Sequence, residues 1–319
     1  SVSTGAAKRS DWTVATEYRV GDGGTGELNV TEGRIWTTEQ LAYLGYAGGV
    51  GTVNIDGASS TWASSGDAYV GSLGTGEVNL ANGGTWTTAT GHTTYLGNYS
   101  GGSGTVNIDG TGSKWTALGE VHIGEEGTGV VTLSNGGTWT TASGQYALVG
   151  YGSGSSGTVN VDGAGSKWTA NGYTHIGEDA AGIVTLSNGG AWTTTEDAYL
   201  GYASGSSGQV NIDGVGSNWT ASGGLRIGDD GTGVMNLTNG GTCTTSYSHL
   251  GWGLGSSGQV NIGGAGSNWT TLGVVYVGMM GSSEVNLTNG GTWMADSNVT
   301  LSFSSSFSGT VNIDGAGSE

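Results

Sequence analysis

The sequence has no proline, one cysteine and few charged residues, which make up 10% of its 319 positions. A collagen helix needs proline and a glycine at every third position, so it is excluded. A disulfide scaffold needs at least two cysteines. No run of about 18 apolar residues occurs, so we expect no transmembrane segment in this chain. The first residues, SVSTGAAKRSDW, lack the hydrophobic core that a secretion signal requires.

Basic residues are scarce: 7 Lys and Arg stand against 25 Asp and Glu, which gives a formal net charge of −18. Because such a chain repels phosphate backbones, we expect no nucleic acid partner. Aromatic residues are abundant, with 12 Trp and 13 Tyr. A disordered chain is poor in aromatics, so this composition predicts a folded protein.

The 69 glycines are distributed through a repeat. The string VNIDG, or a close variant, begins at Val53, Val106, Val159, Val210, Val260 and Val311. A sister unit lies between these strings, as in VVTLSNGGTWTT from Val130. The two units together take about 51 residues, so the repeating unit has about 25 residues and occurs in two alternating forms.

Each unit contains three short extended pieces separated by glycine-rich corners. They are Val-Asn-Ile/Leu, Xaa-Trp-Thr and a third piece such as Ala-Tyr-Leu-Gly, each with apolar residues at alternate positions. A propeller blade has four strands, whereas the double unit holds six. We therefore predict an all-β fold, a parallel β-solenoid of about 12 coils of ~25 residues with three short strands per coil. Residues 1–319 form a single repeat domain, with 1–10 as an irregular N-terminal lead-in, and the chain is expected to be a fragment or one unit of a longer array.

The tryptophan of the second piece is predicted to face the core. Lys114 and Lys167 precede it, so an outward tryptophan would bury an unpaired ammonium, which is far more costly than burying indole. The column comprises Trp12, Trp36, Trp62, Trp86, Trp115, Trp139, Trp168, Trp192, Trp219, Trp269 and Trp293. Cys243 takes one place in it, and we expect a buried, unreactive thiol there.

Two outward columns of mostly aromatic residues are the candidate binding surface. The central residue of the third piece supplies Tyr43, Tyr69, Tyr95, His122, His175, Tyr199, Arg226, His249 and Tyr276. The start of the longer loop supplies Tyr46, Tyr99, Tyr151, Tyr202 and Trp252. Both columns are predicted to be exposed. They could contact a ligand, or simply stabilise the sheet by stacking on one another.

No catalytic or metal-binding motif is present, and we expect neither an enzyme nor a metal site. Carboxylate pairs recur at one corner of alternate units: Glu125-Glu126, Glu178-Asp179 and Asp229-Asp230. Exposed corners do not offer the burial that raises the pKa of a catalytic acid. We interpret the pairs as solvated surface charge, with weak Ca²⁺ binding as the alternative and no other cofactor.

The strings GTVNIDGAGSKWT, YLG and GTGVVTLSNGGTWTT resemble the passenger repeats of bacterial autotransporters, the pertactin-like and AIDA-like surface proteins. The resemblance extends from about Asp11 to Ser318. It implies a right-handed parallel β-helix displayed outside a Gram-negative cell, either on its surface or secreted. It also implies a role in adhesion or self-association, and no catalytic residue of the family can be assigned here.

The sequence thus predicts a non-enzymatic rod that binds a glycan or another cell-surface ligand, or other copies of itself. Head-to-tail stacking into a structural filament or surface layer is an alternative, since solenoid ends expose strand edges. A polysaccharide-active solenoid of the tailspike kind is another. Outward threonines, as in Thr85-Trp86-Thr87 and Thr138-Trp139-Thr140, leave an ice-binding face as a minor alternative.

Overall fold

The computed structural model describes residues 12–303 and 305–319, and the predicted lead-in 1–10 lies outside them. The described residues form β-strands joined by turns and bends, without a helix. None of them therefore belongs to a helix that could cross a membrane.

The Val-Asn-Ile/Leu pieces form the first strand of each coil and together make a parallel sheet of 12 strands. Their bounds are Thr25–Val30, Val50–Asp56, Thr75–Ala81, Ser103–Asp109, Thr128–Ser134, Ser156–Asp162, Ala181–Ser187, Ser207–Asp213, Thr232–Thr238, Ser257–Gly263, Ser282–Thr288 and Ser308–Asp314. Each strand pairs in parallel with its equivalents in the neighbouring coils.

The second and third strands make a parallel sheet of 22 strands, because they run together in two coils. The second strands are Trp12–Val14, Ile35–Thr38, Thr61–Ser64, Thr85–Thr88, Lys114–Ala117, Thr138–Thr141, Lys167–Ala170, Ala191–Thr194, Asn268–Thr271 and Thr292–Ala295. The third strands are Tyr18–Asp22, Ala42–Tyr46, Ala68–Val70, Thr94–Leu96, Val121–Ile123, Ala147–Val149, Thr174–Ile176, Ala198–Leu200, Val275–Val277 and Val299–Leu301. The two continuous strands are Asn218–Ile227 and Thr242–Leu250.

Strand pairing confirms the predicted β-solenoid. Trp86 is opposite Trp62 of the preceding coil and Trp115 of the next, and the first strands keep the same in-register pairing. The turns depend on backbone with positive φ, which Gly and Asn adopt most easily. Asn135, for example, has φ 52° in the corner that follows its first strand.

The tryptophans face the core, as predicted. The nine from Trp36 to Trp269 are at most 1% exposed, and neighbouring rings stack with centroids 4.2–4.9 Å apart. Trp293, in the last complete turn, is half-buried, and the side chain of Trp12 is not among those described. Cys243 is 1% exposed, and burial raises the pKa of its thiol. An apolar environment favours the neutral thiol, so Cys243 is inert.

The asparagine between the two apolar residues of the first strand faces outward and forms amide ladders. Asn79 donates from Nδ2 to Oδ1 of Asn54 at 2.9 Å, and Asn261 donates to Asn236 at 2.8 Å. Thr132 and Thr185 interrupt the column and leave two runs, with Asn160 alone between them. These bonds satisfy the amides along the rod axis and reinforce the stacking of successive coils.

The tryptophan column gives the first testable prediction. Trp168→Ala should reduce the free energy of unfolding by about 3–5 kcal/mol, because it removes a buried indole and leaves a cavity between two stacked rings. The matched control is Trp293→Ala, where the ring is already half-buried and the loss should be smaller. Urea unfolding followed by circular dichroism measures both. Equal losses for the two variants would show that the stacked interior does not govern stability.

Candidate binding surface

The predicted strand column is a continuous outward row along the rod. Register places Tyr43 opposite Tyr69, Tyr69 opposite Tyr95, and Tyr95 opposite His122. The row continues through Leu148, His175, Tyr199, Arg226, His249 and Tyr276. The residues on either side of each member face the core, so strand alternation fixes the outward direction of this row.

Three consecutive tyrosines form a stacked ladder. The ring centroids of Tyr43 and Tyr69 are 4.6 Å apart at an interplanar angle of 10°, and those of Tyr69 and Tyr95 are 4.9 Å apart at 9°. The rings therefore cover each other's faces, and the three side chains are half-buried. Burial raises the pKa of Tyr69, so its hydroxyl stays protonated and can donate a hydrogen bond.

The other members combine a basic side chain with an aromatic ring of the next coil. Arg19 lies 3.9 Å from the ring centroid of Tyr46, and Arg226 lies 4.4 Å from that of Trp252. In the coils between, the same positions hold His122 beneath Tyr151, at 4.6 Å, and His175 beneath Tyr202, at 4.4 Å. The two predicted columns thus form one interlocked surface, which we call the aromatic stripe.

Each of these basic residues also has a carboxylate three positions later. Arg226 donates to Asp229 at 3.1 Å, and Arg19 to Asp22 at 3.2 Å. His122 and His175 bond in the same way to Glu125 and Glu178. Asp22, Glu125, Glu178 and Asp229 hold equivalent positions that are one or two double repeats apart, and Ser72 takes this position in the coil of Tyr69.

The prediction that His122 and His175 are exposed is wrong. They are 7% and 6% exposed, because the tyrosine of the following coil covers each imidazole and a carboxylate occupies its polar edge. Tyr99, at 46%, is the most open member of the stripe's corner column. Leu148 is also buried, and the remaining members of the two columns are half-buried, since side chains of consecutive coils lean on one another.

The acidic corners also differ from the predicted solvated charge. Glu125 and Glu178 are half-buried in their ion pairs, and Asp229 is 6% exposed. Burial raises the pKa of Asp229, although the guanidinium of Arg226 opposes the shift. The second acid of each pair remains at the surface. Within the described ranges, no three His, Cys, Asp or Glu side chains converge as metal ligands would.

Sequence reasoning missed three tyrosines that widen the stripe: Tyr146, Tyr173 and Tyr247. The ring of Tyr146 meets His175 edge-on at 5.6 Å and stacks on Tyr173 at 5.4 Å. Tyr247 donates its hydroxyl to Asp197 at 3.0 Å. Each lies two positions before a member of the strand column. Period-two alternation, applied one step further along the third strand, would have identified all three.

The chain is similar in sequence to two known proteins. No family model matches the chain. It is 34% identical over 237 residues to the uncharacterized lipoprotein YdeK of Escherichia coli, covering 71% of this chain and 17% of that protein. It is 32% identical over 136 residues to the adhesin BmaC autotransporter of Brucella suis, covering 41% of this chain and 4% of that protein.

Among solved structures, the chain is similar to a TibC-catalyzed hyper-glycosylated TibA fragment. That alignment covers 92% of this chain and 99% of the fragment, with 17% identity and a TM-score of 0.24. The chain spans a small part of the curated relatives that it matches, 17% and 4% of their lengths, and part of its repeat region is similar to an autotransporter adhesin.

His249 is the histidine of the stripe whose pKa is clearly altered. Its ring lies against Trp252 at 4.8 Å, Tyr276 at 5.3 Å and Tyr247 at 5.5 Å, and Nδ1 is buried without a hydrogen-bond partner. Burial, and then the positive charge of Arg226, lower its pKa to about 4. This histidine is therefore neutral in the folded protein at pH 7.

The pKa of His249 predicts a pH dependence of stability. Between pH 6.5 and about 4 the unfolded histidine binds a proton that the folded one does not, so stability falls as the pH falls through this window. His249→Tyr keeps a ring in the column and removes the titrating group, so its unfolding midpoint should fall less over the same range. Urea unfolding at pH 7, 6, 5 and 4 measures the difference. Identical pH profiles for the two proteins would contradict the lowered pKa.

Proposed function

We propose that this chain, whose repeats are like those of autotransporter passengers, is part of a rod outside a bacterial cell that adheres to surfaces or to other copies of itself. The observation that carries the proposal is the alignment of its repeats with an autotransporter adhesin. The regular in-register coils support it, because a stiff rod holds binding faces away from the cell.

We further infer that the rod acts by binding rather than catalysis. An active site needs a single constellation of groups that activate one another. Four basic groups of the described stripe instead recur at multiples of the double repeat: Arg19, His122, His175 and Arg226. A surface built in this way offers the same weak contact several times, which suits binding to a repetitive ligand.

For adhesion, we propose the aromatic stripe as the ligand-contacting surface, with glycans as the ligand class. Sugar rings commonly stack on open aromatic faces, but the faces of Tyr43, Tyr69 and Tyr95 are covered by one another. A ligand there meets hydroxyls and ring edges, so contact is by hydrogen bonds from the phenols. Tyr99, at 46% exposed, adds a ring that is open to solvent.

Display of the chain on a non-adherent Gram-negative strain tests this function. Cells that carry it on an unrelated membrane anchor should clump, or adhere to glycan-coated surfaces, above cells that carry the anchor alone. Tyr69→Phe/Tyr95→Phe keeps the stack and removes two hydroxyls, and should weaken glycan adhesion several-fold. Tyr69→Thr/Tyr95→Thr removes the rings as well; Thr300 already occupies this column in another coil.

Adhesion and self-association give different results in this experiment. Loss of glycan binding in both variants supports the stripe as the contact surface. Clumping that persists in both variants assigns self-association to another face of the rod. Display without clumping and without adhesion to any surface would overturn the proposed function.

A further inference from the structure

Two lysines differ from the other cations that the structure describes. Arg19, Arg34 and Arg226 each form an ion pair within the chain. Lys114 and Lys167 form none with any described residue, although acidic residues outnumber basic ones 25 to 7. Both are exposed, and each is the first residue of a second strand.

Two aspartates occupy the same coils on the other side of the corner. Asp109 and Asp162 are the last residues of their first strands. In each, Oδ1 accepts hydrogen bonds from a serine and an asparagine of the next coil, and these bonds lower the pKa of the carboxyl. The other oxygen of each makes no hydrogen bond to a described residue. These carboxylates are therefore charged and have an oxygen free for a partner.

The corner between the first and second strands is thus a ridge with opposite charges on its two flanks. Four residues separate aspartate from lysine in both coils, 110–113 and 163–166, and the side chains at the tip are short, Thr111 and Ala164. The two lysines are two coils apart, as are the two aspartates, which corresponds to a rise of about 10 Å.

We propose that two copies of this chain associate ridge to ridge, with parallel rods in register, so that Lys114 and Lys167 of each copy pair with Asp109 and Asp162 of the other. A two-fold axis parallel to the rods exchanges the flanks of the ridge and keeps the coil level, so lysine meets aspartate. A two-fold axis across the rods would oppose carboxylates to carboxylates. The interface rests on the self-association proposed above and assigns it a surface.

The remaining coils fit the same register. Asp56 of one copy faces Thr61 of the other, and Asp213 faces Asn218, so each of these carboxylates meets a neutral hydrogen-bond donor. Val215, at the tip of the ridge, is 85% exposed. The two-fold axis brings Val215 of both copies together and covers it.

A second copy fits the lysines better than an anionic polysaccharide does. The chain has a net charge of −18, and the aspartate flank of the ridge repels a polyanion. A second copy supplies carboxylates at the spacing of the lysines. Exposed ion pairs are individually weak, so this contact is weak between single rods and gains strength when many are displayed together.

Disulfide trapping detects such a weak contact and its direction. Val215→Cys in the full chain should form a disulfide-linked dimer under oxidised glutathione, because the two-fold axis brings the new thiols together. Leu254→Cys, 77% exposed on another corner, is the matched control and should cross-link about fivefold less. Cys243 is buried and does not interfere. Sodium chloride at about 0.5 M should reduce cross-linking at position 215.

Variants in which lysine and aspartate are exchanged test which residues of the two copies form ion pairs. In the Val215→Cys chain, Lys114→Glu/Asp109→Lys exchanges charges within one coil and should still cross-link. Lys114→Glu/Asp162→Lys has the same composition and net charge, but it opposes like charges in the proposed register and should cross-link about fivefold less. Gly263 and Thr138 stand at these two ridge positions in other coils, so the fold accommodates the loss of either native charge. Circular dichroism checks that both variants are folded.

The possible results separate this interface from the proposed function. Equal cross-linking of the two charge variants, or of positions 215 and 254, would overturn the ridge interface. Displayed cells that still clump in that case would leave self-association in place through another face. Lysine-dependent binding of heparin by a chain whose Val215→Cys variant does not cross-link would assign the lysines to a polyanion instead.

Discussion

Parallel strands that pair in register place each side chain about 4.8 Å from its equivalent in the next coil. That distance suits stacked aromatic rings, and the tryptophans of successive coils lie 4.2–4.9 Å apart over the described column. A single choice of residue is therefore repeated as a column, inside or outside the rod. The same spacing forms the amide ladder of the first strands and the tyrosine ladder of the stripe.

Because the sequence repeats, the strands and the direction of their side chains could be predicted from it. The inward direction of tryptophan followed from Lys114 and Lys167, whose charge excludes them from the core, and the structure agrees. The burial of His122 could not be predicted from the sequence, because the ring that covers it belongs to Tyr151 of the next coil and leans along the rod. Alternation gives the face on which a side chain lies. It does not give the tilt that decides whether a neighbouring coil covers it.

For the charged residues, too, the sequence predicts the face on which a side chain lies but not how deeply it is buried. Asp229 and Glu126 both belong to acidic pairs at equivalent corners, but the first is buried against Arg226 and the second is exposed. One position in the pair points back toward the basic residue three places earlier, and the other points to solvent. The carboxylate pairs that were predicted to be solvated surface charge thus divide into carboxylates in internal ion pairs and a row of surface charges.

The binding strength of such a rod depends on the sum of many weak contacts along its length. Each outward contact is small, because exposed ion pairs and single hydrogen bonds contribute about 1 kcal/mol or less. The coils repeat such contacts at fixed intervals, so a partner with a matching interval gains several at once without further loss of orientational freedom. Another copy of the same chain has a matching interval by construction. A glycan has it only where its own repeat agrees with a multiple of the ladder step. The spacing of the coils, more than the chemistry of any one residue, therefore selects what the rod can hold.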